Sequence, residues 1–475
     1  MTKPVRLGML AALALVWTVS GCRAPQTPPA AGTHAGPAVE ATPAPAGTTL
    51  VVGLYPYVPR LKQFESAITA AWSGVQPDVS LTFLPESEWD GGYSNDPPAN
   101  ADVYVFDAMF FEYFRSQGWL EQLAAGEIDH LADFVDYAID GVEVDGQYYA
   151  IPQLGCGNIL FYHQDDAALA DATTYSEVAS ALGLCTYTST IPPDQRGLMV
   201  DMAGGTTNAA LYLDAVHSIT GEYPPPLPWN ESEINPEAMA AMRGLLAMTS
   251  YENGTTDEQV PYERGIWFGK SWGRALIGFT EAMSVMGPET RSHLGFKAMP
   301  LSDNDTSTMF YADVIAVNPS THQRETRDLA VQLANVMAGS KTMVASIGPE
   351  ADNPYPQYLM ATRPSTFMTL ARTFPLYGEM YALITENNPV LFGLNDQARS
   401  WLSAMKNTIR TDARKDYPCA CDYQAVEYIG NDSQAPAVCG ATCADHGSWT
   451  GQWTNQPPAA PAGTSVCGCT ACPSP

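Results

Sequence analysis

The sequence predicts an α/β fold of two lobes with a ligand cleft between them, followed by a small Cys-rich C-terminal tail. Three observations carry that expectation. A body of about 370 residues lies between a leader and the tail, more than one hydrophobic core usually supports. Its first part alternates strand-like and helix-like patterns, the order that builds a parallel sheet with right-handed crossovers. Residues 155–310 then supply helices and strands of their own before a strand–helix pair returns toward the first part.

The elements follow in order. Thr49–Tyr55 reads as a buried strand, and Leu61, Phe64, Ile68, Trp72 and Val75 recur at helical spacing. Val79–Phe83 and Asp102–Asp107 read as strands, and Tyr113–Leu123 as a helix that Gly118 weakens. Gln147–Pro152 is a strand leaving the first lobe. In the second, Pro236–Met248 is a helix with Pro near its first turn, and Arg274–Phe279 a strand. Tyr311–Val317 is the returning strand, followed by a long helix over Arg324–Gly339. Two α/β lobes joined by crossing strands make a periplasmic-binding-protein (type II) arrangement, with the ligand beyond the strand C-termini. The expected boundaries are lobe 1 at about 48–152 and 314–417, lobe 2 at about 153–313, and the tail at 418–475.

At the N-terminus, Lys3 and Arg6 precede a short apolar run ending in Val19-Ser20-Gly21-Cys22. That pattern reads as a lipoprotein leader over 1–22 with Cys22 as the lipidated residue, the alternative being an ordinary secretory leader. Either implies export, with the lipid holding the chain to a bacterial cell membrane or outer membrane, facing periplasm or exterior. Residues 23–47, rich in Ala, Pro, Thr and Gly, cannot form a core and read as a disordered linker. The formal charge of −28 disfavours nucleic acid as a partner. It is compatible with a cationic small ligand, though on charge alone it says no more than solubility.

One cysteine stands apart. Cys156 lies in Ile151-Pro-Gln-Leu-Gly-Cys156, and Gly155 and Gly157 leave its sulfur unshielded and open to close approach. A lone Cys is more commonly a small buried hydrophobe than a nucleophile, so its context decides. Several segments supply that context in order: Tyr55-Pro-Tyr57, Tyr93-Ser-Asn-Asp-Pro-Pro98, Val105-Phe-Asp107, Asp136-Tyr137-Ala138, the Cys156 segment, Phe279-Thr-Glu281-Ala-Met283, Tyr311-Ala-Asp313 and Tyr355-Pro-Gln-Tyr358. Each is weak alone. Together the chain, over about residues 48–410, resembles the thiaminase I (thiamine pyridinylase) family.

The resemblance implies an enzyme in which a cysteine attacks the pyrimidine of thiamine, the thiazole departs, and an organic base or amine displaces the cysteine. Cys156 matches the family nucleophile and Glu281 the family general base. A thiol with an ordinary pKa near 8.5 is only slightly ionised at neutral pH, so a base is needed. Asp107, Asp136 and Asp313 suit the aminopyrimidine and the thiazolium charge. Tyr55, Tyr57, Tyr93 and Tyr311 offer faces for stacking and cation–π contact. No metal or organic cofactor is required, and a monomer is expected. Phe279 stands where the family tends to have Tyr, and the two glycines replace bulkier neighbours. The rival reading is a solute-binding lipoprotein that captures thiamine or its pyrimidine without cutting it; that class has no need of the Cys156–Glu281 pair.

Other signals are set aside. Gly269-Lys-Ser-Trp-Gly273 precedes a strand, whereas a nucleophile elbow needs strand then helix. The seven His show no pair at metal-ligand spacing. Cys419, Cys421, Cys439, Cys443, Cys467, Cys469 and Cys472 of the tail read as disulfides in an exported chain, with zinc as the alternative. Seven is odd, and Cys185 is a possible eighth partner that leaves Cys156 free.

Overall fold

The computed structural model describes residues 47–184, 196–202, 204–249, 262–304, 306–414, 422–455, 460 and 462–469. The leader, the linker, Cys22, Cys185, Cys419, Cys421 and Cys472 lie outside these residues.

Chain alternation builds a first sheet as expected. β1 (Thr49–Gly53) lies between β2 (Ser80–Phe83) and β3 (Val103–Asp107), parallel to both. The helix Leu61–Ser73 makes the first crossover. It buries Phe64, Ile68 and Trp72, spaced one turn apart, and the Trp72 indole N–H donates to the Val79 carbonyl at 2.9 Å. Every residue of β3 is buried, as a strand covered on both faces requires.

A hairpin of β4 (Glu143–Val144) and β5 (Gln147–Tyr148) precedes β6 (Ile151–Gly157). The chain then enters a second sheet of β7 (Ile159–His163), β8 (Arg196–Met199), β9 (Gly273–Gly278) and β10 (Leu294–Ala298), in the order β10-β7-β9-β8. The helices Gly205–Thr220 and Pro236–Ala247 belong to this second part. β11 (Met309–Val317) returns and inserts between β6 and β3, antiparallel to each. β12 (Met360–Ala361) extends the first sheet beside β6, and β13 (Val390–Leu391) pairs with β11. The result is two α/β lobes joined by crossing strands. Among the described residues no helix is long and apolar enough to cross a membrane.

Several expectations need correction. The first sheet is mixed rather than purely parallel, because the crossing strands enter it antiparallel. The helix placed at Tyr113–Leu123 is Phe111–Ser116; Gly118 takes a left-handed φ of 70° and ends it early. Gln147–Pro152 is split between β5 and β6. The helix placed at Arg324–Gly339 is two, Thr321–Arg324 and Arg327–Ala338, broken where Glu325 has φ 60°.

The tail has a sheet and a buried cluster of its own. β14 (Asp422–Gln424), β15 (Trp449–Thr454) and β16 (Val466–Cys469) form a sheet in the order β14-β16-β15. Cys439 and Cys443, one turn apart on the helix Ala435–Thr442 and at its end, bond to Cys467 and Cys469, which share one face of β16. With Ala425, Ile429 and Ala435 these sulfurs form the buried core, and Tyr423, Val438, Trp449 and Trp453 pack against it. Among the described residues no cluster of His, Cys, Asp and Glu suits a metal ion.

Candidate active site

Strand direction gathers the site. β3 and β6 end, and β11 begins, at one edge of the first sheet. In register, Tyr311 lies opposite Cys156, and Asp313 lies opposite Asp107. Side chains two residues apart on a strand share a face, so Tyr311 and Asp313 point the same way, with Cys156 and Asp107 beside them. The segment after β1 adds Tyr55 and Tyr57 at the same edge. From the second lobe, β9 ends at Gly278 beside the start of β7, and the 3-10 helix Thr280–Val285 follows, with Glu281 buried in its first turn.

Asp107 is held at both oxygens. Its Oδ1 accepts from the Met109 amide at 2.9 Å, and its Oδ2 accepts from the Tyr93 hydroxyl at 2.8 Å. The Tyr55 hydroxyl lies 3.3 Å from that of Tyr93 and donates to it, since the Tyr93 proton is already committed. Tyr57 is 49 % exposed and stands edge-on to Tyr55 and Tyr93, with ring centroids 5.4 and 5.7 Å away. Gly91 permits this aromatic cluster: its φ is 74°, and a Cβ there would meet the Tyr55 ring at 2.7 Å.

The electrostatics are those of crowded carboxylates in a dry place. Burial pushes the Glu281 carboxyl up to about 7. Burial pushes Asp107 up to about 6, against its two hydrogen bonds. Asp313 is driven well above the ordinary carboxyl range, by burial first and then by the Asp107 and Glu281 charges, so it is the member of this pair that keeps its proton. Cys156 is half-buried and the free thiol among the described residues. Burial raises its pKa well above the ordinary value. Glu281, Asp313 and Asp107 raise it further, against a backbone hydrogen bond at Gly157. The resting form is therefore the thiol, with a carboxylate poised near neutrality as its neighbour.

The structure thus brings together Cys156, Glu281, Tyr55, Tyr57, Tyr93, Asp107, Tyr311 and Asp313. It does not bring Asp136. That residue is exposed at the start of the helix Asp136–Asp140, and its charge is felt by Asp140. One residue on, a rotation of roughly 100° along the helix, Tyr137 turns inward. Its hydroxyl donates to the Tyr311 carbonyl at 3.4 Å. A Cβ on Gly155 would lie 2.4 Å from that same hydroxyl, and one on Gly157 would lie 3.1 Å from the Phe310 ring. The glycines therefore make room for neighbouring protein, where the sequence suggests room for substrate.

Three participants escape sequence reasoning. Tyr137 lies inside the Asp136-Tyr137-Ala138 motif, where its acidic neighbour draws the attention. Tyr262, in a left-handed conformation with φ 67°, has its phenol pushed up by burial first and then by the nearby Glu281 and Cys156, and nothing in its sequence surroundings signals it. Asn158 donates to the Tyr311 hydroxyl at 3.3 Å and to the buried Asp214 at 2.9 Å, tying the crossing segment to the helix Gly205–Thr220.

The chain is 34 % identical over 372 residues to thiaminase-1 of Paenibacillus thiaminolyticus, covering 76 % of this chain and 87 % of that protein. The chain belongs to the thiaminase I family. It is accordingly an enzyme of a thiamine-degrading class. A family model described as the Thiaminase-1 domain matches residues 157–302. Clostridium botulinum thiaminase I, solved in complex with thiamin, superposes with a TM-score of 0.72 at 33 % identity, covering 77 % of this chain and all of that one. The maltose-bound MalE3 of T. maritima superposes with a TM-score of 0.56 at 14 % identity over 77 % of this chain and 94 % of its own, a likeness of fold alone. The tail of this thiaminase I-family chain is similar to something else: a model described as mannan-binding protein matches residues 432–469.

Proposed function

We propose that this thiaminase I-family enzyme cleaves thiamine by covalent catalysis on Cys156. Glu281 takes the Cys156 proton as the sulfur bonds to the pyrimidine. The C–N bond to the thiazolium breaks, and the bonding pair leaves with the ring, which departs neutral. An organic base or amine then displaces sulfur from the pyrimidine; Glu281 passes its proton back to the departing thiolate and, where the acceptor is an amine, is then free to take the proton the amine sheds and release it to solvent. The observation that carries this reading is the pairing of a thiol held protonated with a buried carboxyl at about 7, since a base works best with a pKa near the operating pH. Protonated Asp313 donates to a ring nitrogen, Asp107 accepts from the amino group, and the Tyr55–Tyr57–Tyr93 faces stack on the cation. Thiamine supplies its own electron sink, so the residues named complete the reaction.

Thiazole release from the full chain is expected to be catalytic with pyridine or an aromatic amine present, and to stop near one equivalent without them. Thiamine binding with no thiazole released in any base would replace this reading by that of a solute-binding protein.

A second reading concerns the tail. Beside its likeness to a mannan-binding protein family, the tail carries one exposed aromatic ring, Tyr428, and one half-buried ring, Trp453, that packs on its core. Tyr428 is 56 % exposed and its hydroxyl accepts from Asn455 at 3.1 Å, while the Trp453 indole N–H donates to Asp432 at 3.1 Å. Rings fixed by such bonds are suited to lie against the apolar faces of sugars. We infer that the tail holds the enzyme to a mannan-type glycan. Retention of the full chain on immobilised mannan should fall at least about tenfold in Trp453→Ala and Tyr428→Ala, by the usual weight of aromatic anchors, with thiamine cleavage unchanged. Equal retention of parent and variants would remove the tail reading alone.

A further inference from the structure

The segment Tyr355-Pro-Gln-Tyr358 finds no place in the chemistry above. It lies in the first lobe, between the helix Ser340–Ile347 and β12, and is well fixed there. Tyr358 is buried and stacks on Tyr377 at 5.9 Å, and Arg60 Nη2 donates to the Tyr355 carbonyl at 3.3 Å. Over its two rings lies Arg291 of the second lobe. The guanidinium carbon is 4.0 Å from the Tyr355 ring centroid and 5.4 Å from that of Tyr358. Arg291 is 7 % exposed. Among the described residues no carboxylate pairs with it, and Nη2 has no hydrogen-bond partner. Its Nη1 donates to the carbonyls of Met283 and Met286. Met283 lies within, and Met286 immediately after, the six-residue 3-10 helix that carries Glu281.

A guanidinium is suited to both tasks at once: it donates within its plane and stacks through its face. We propose that Arg291 is a positioning residue that fastens the Glu281 helix to the Tyr355–Tyr358 loop of the opposite lobe, so that closing the cleft and placing the base are one event. Its buried charge is balanced by carbonyl dipoles on one lobe and ring faces on the other. Parting the lobes strips the rings away and leaves the cation to the carbonyls alone, loosening the helix that holds Glu281. The role given to Glu281 rests on the proposed thiamine cleavage; the contact between lobes does not.

Tyr355→Ala separates these. Tyr355 is 36 % exposed, so its removal should spare the fold, and it leaves every residue of the second lobe intact. In the ligand-free full chain, hydrogen exchange of the amides of residues 280–286 is expected to speed up by about fivefold or more, with β7 unchanged, because taking the ring from the guanidinium lowers the free energy of opening at that helix alone. Where thiamine is cleaved, kcat should fall about three- to tenfold, the range of a partly desolvated cation–π contact. Arg291→Lys, which keeps charge but loses the planar fork, should reproduce both effects, and the double variant should add nothing further. Unchanged exchange at 280–286 in Tyr355→Ala, or effects that multiply in the double variant, would overturn the proposal. Exchange needs no substrate and Tyr355→Ala needs no change at Arg291, so neither an inactive chain nor a misfolded Arg291 variant leaves the question open.

Discussion

Mixed with thiamine and no acceptor, the parent chain is expected to gain one pyrimidine-sized mass, and Cys156→Ser to gain none while losing turnover by about 10⁴-fold or more. Leaving-group ability matters here as much as nucleophilicity. Thiol sulfur is polarisable and attacks once its proton is drawn off; in the second half-reaction it is expelled as a thiolate. A serine oxygen is worse in both directions at the same position. Burial first, and then the neighbouring Glu281, Asp313 and Asp107, raise the thiol pKa, so this cleft does not store a thiolate in the manner of cysteines beside histidine or a helix N-terminus. The nucleophile must be made on demand by the base. Intact mass reads this directly, because without acceptor the second half-reaction has no partner. Thiamine affinity should survive in Cys156→Ser, since the carboxylates and aromatic faces that hold the substrate are untouched. An adduct persisting in the serine variant would move the covalent bond to another residue and sink the assignment.

Much of this arrangement was legible in the sequence. Strand and helix periodicities located β1 to β3, the helix after β1 and β11, because the apolar pattern of each is set by its own local packing. The candidate residues were legible where strands carry them: Asp107 closes β3, Cys156 lies near the end of β6, and Tyr311 and Asp313 lie in the first half and at the middle of β11. What was not legible depends on pairing across distance. That β11 inserts antiparallel between β3 and β6 is a fact of topology, and it is what sets Asp313 opposite Asp107. The Asp136 expectation failed to join the cluster for a local reason, a rotation of one residue on a short helix. The reading of Gly155 failed because only the fold shows that Tyr137 fills its empty side. Tyr262 and Arg291 carry no local signature, since each matters through what it meets in three dimensions.

Glu281→Gln is expected to lower kcat by about 10²- to 10⁴-fold, the usual share of a general base, and in the same stroke to make the protein more stable above neutral pH. The direction of each effect follows from one raised carboxyl. In the folded chain Glu281 loses its proton at about 7, against an ordinary value of 4.5, because burial penalises the charge. Cleavage by the parent should therefore rise as pH passes through about 7, where the carboxylate becomes available, and the residual activity of the variant should lack that limb. For stability the sign is opposite. Between 4.5 and about 7 the folded state binds a proton that the unfolded state has released, so stability falls as pH rises through this window and stays low above it. The loss is roughly 3 kcal/mol when the two values are taken at face value. Glutamine carries no charge to desolvate, so the variant should recover most of that difference at about pH 8 and almost none at about pH 4, as read by denaturant midpoints at the two values. A base held at a cost to the fold is what a catalytic role demands and a merely structural acid does not. Equal stability of parent and variant at about pH 8, or a parent whose cleavage is flat from about pH 5 to 8, would remove Glu281 from the chemistry even if Cys156 keeps its place.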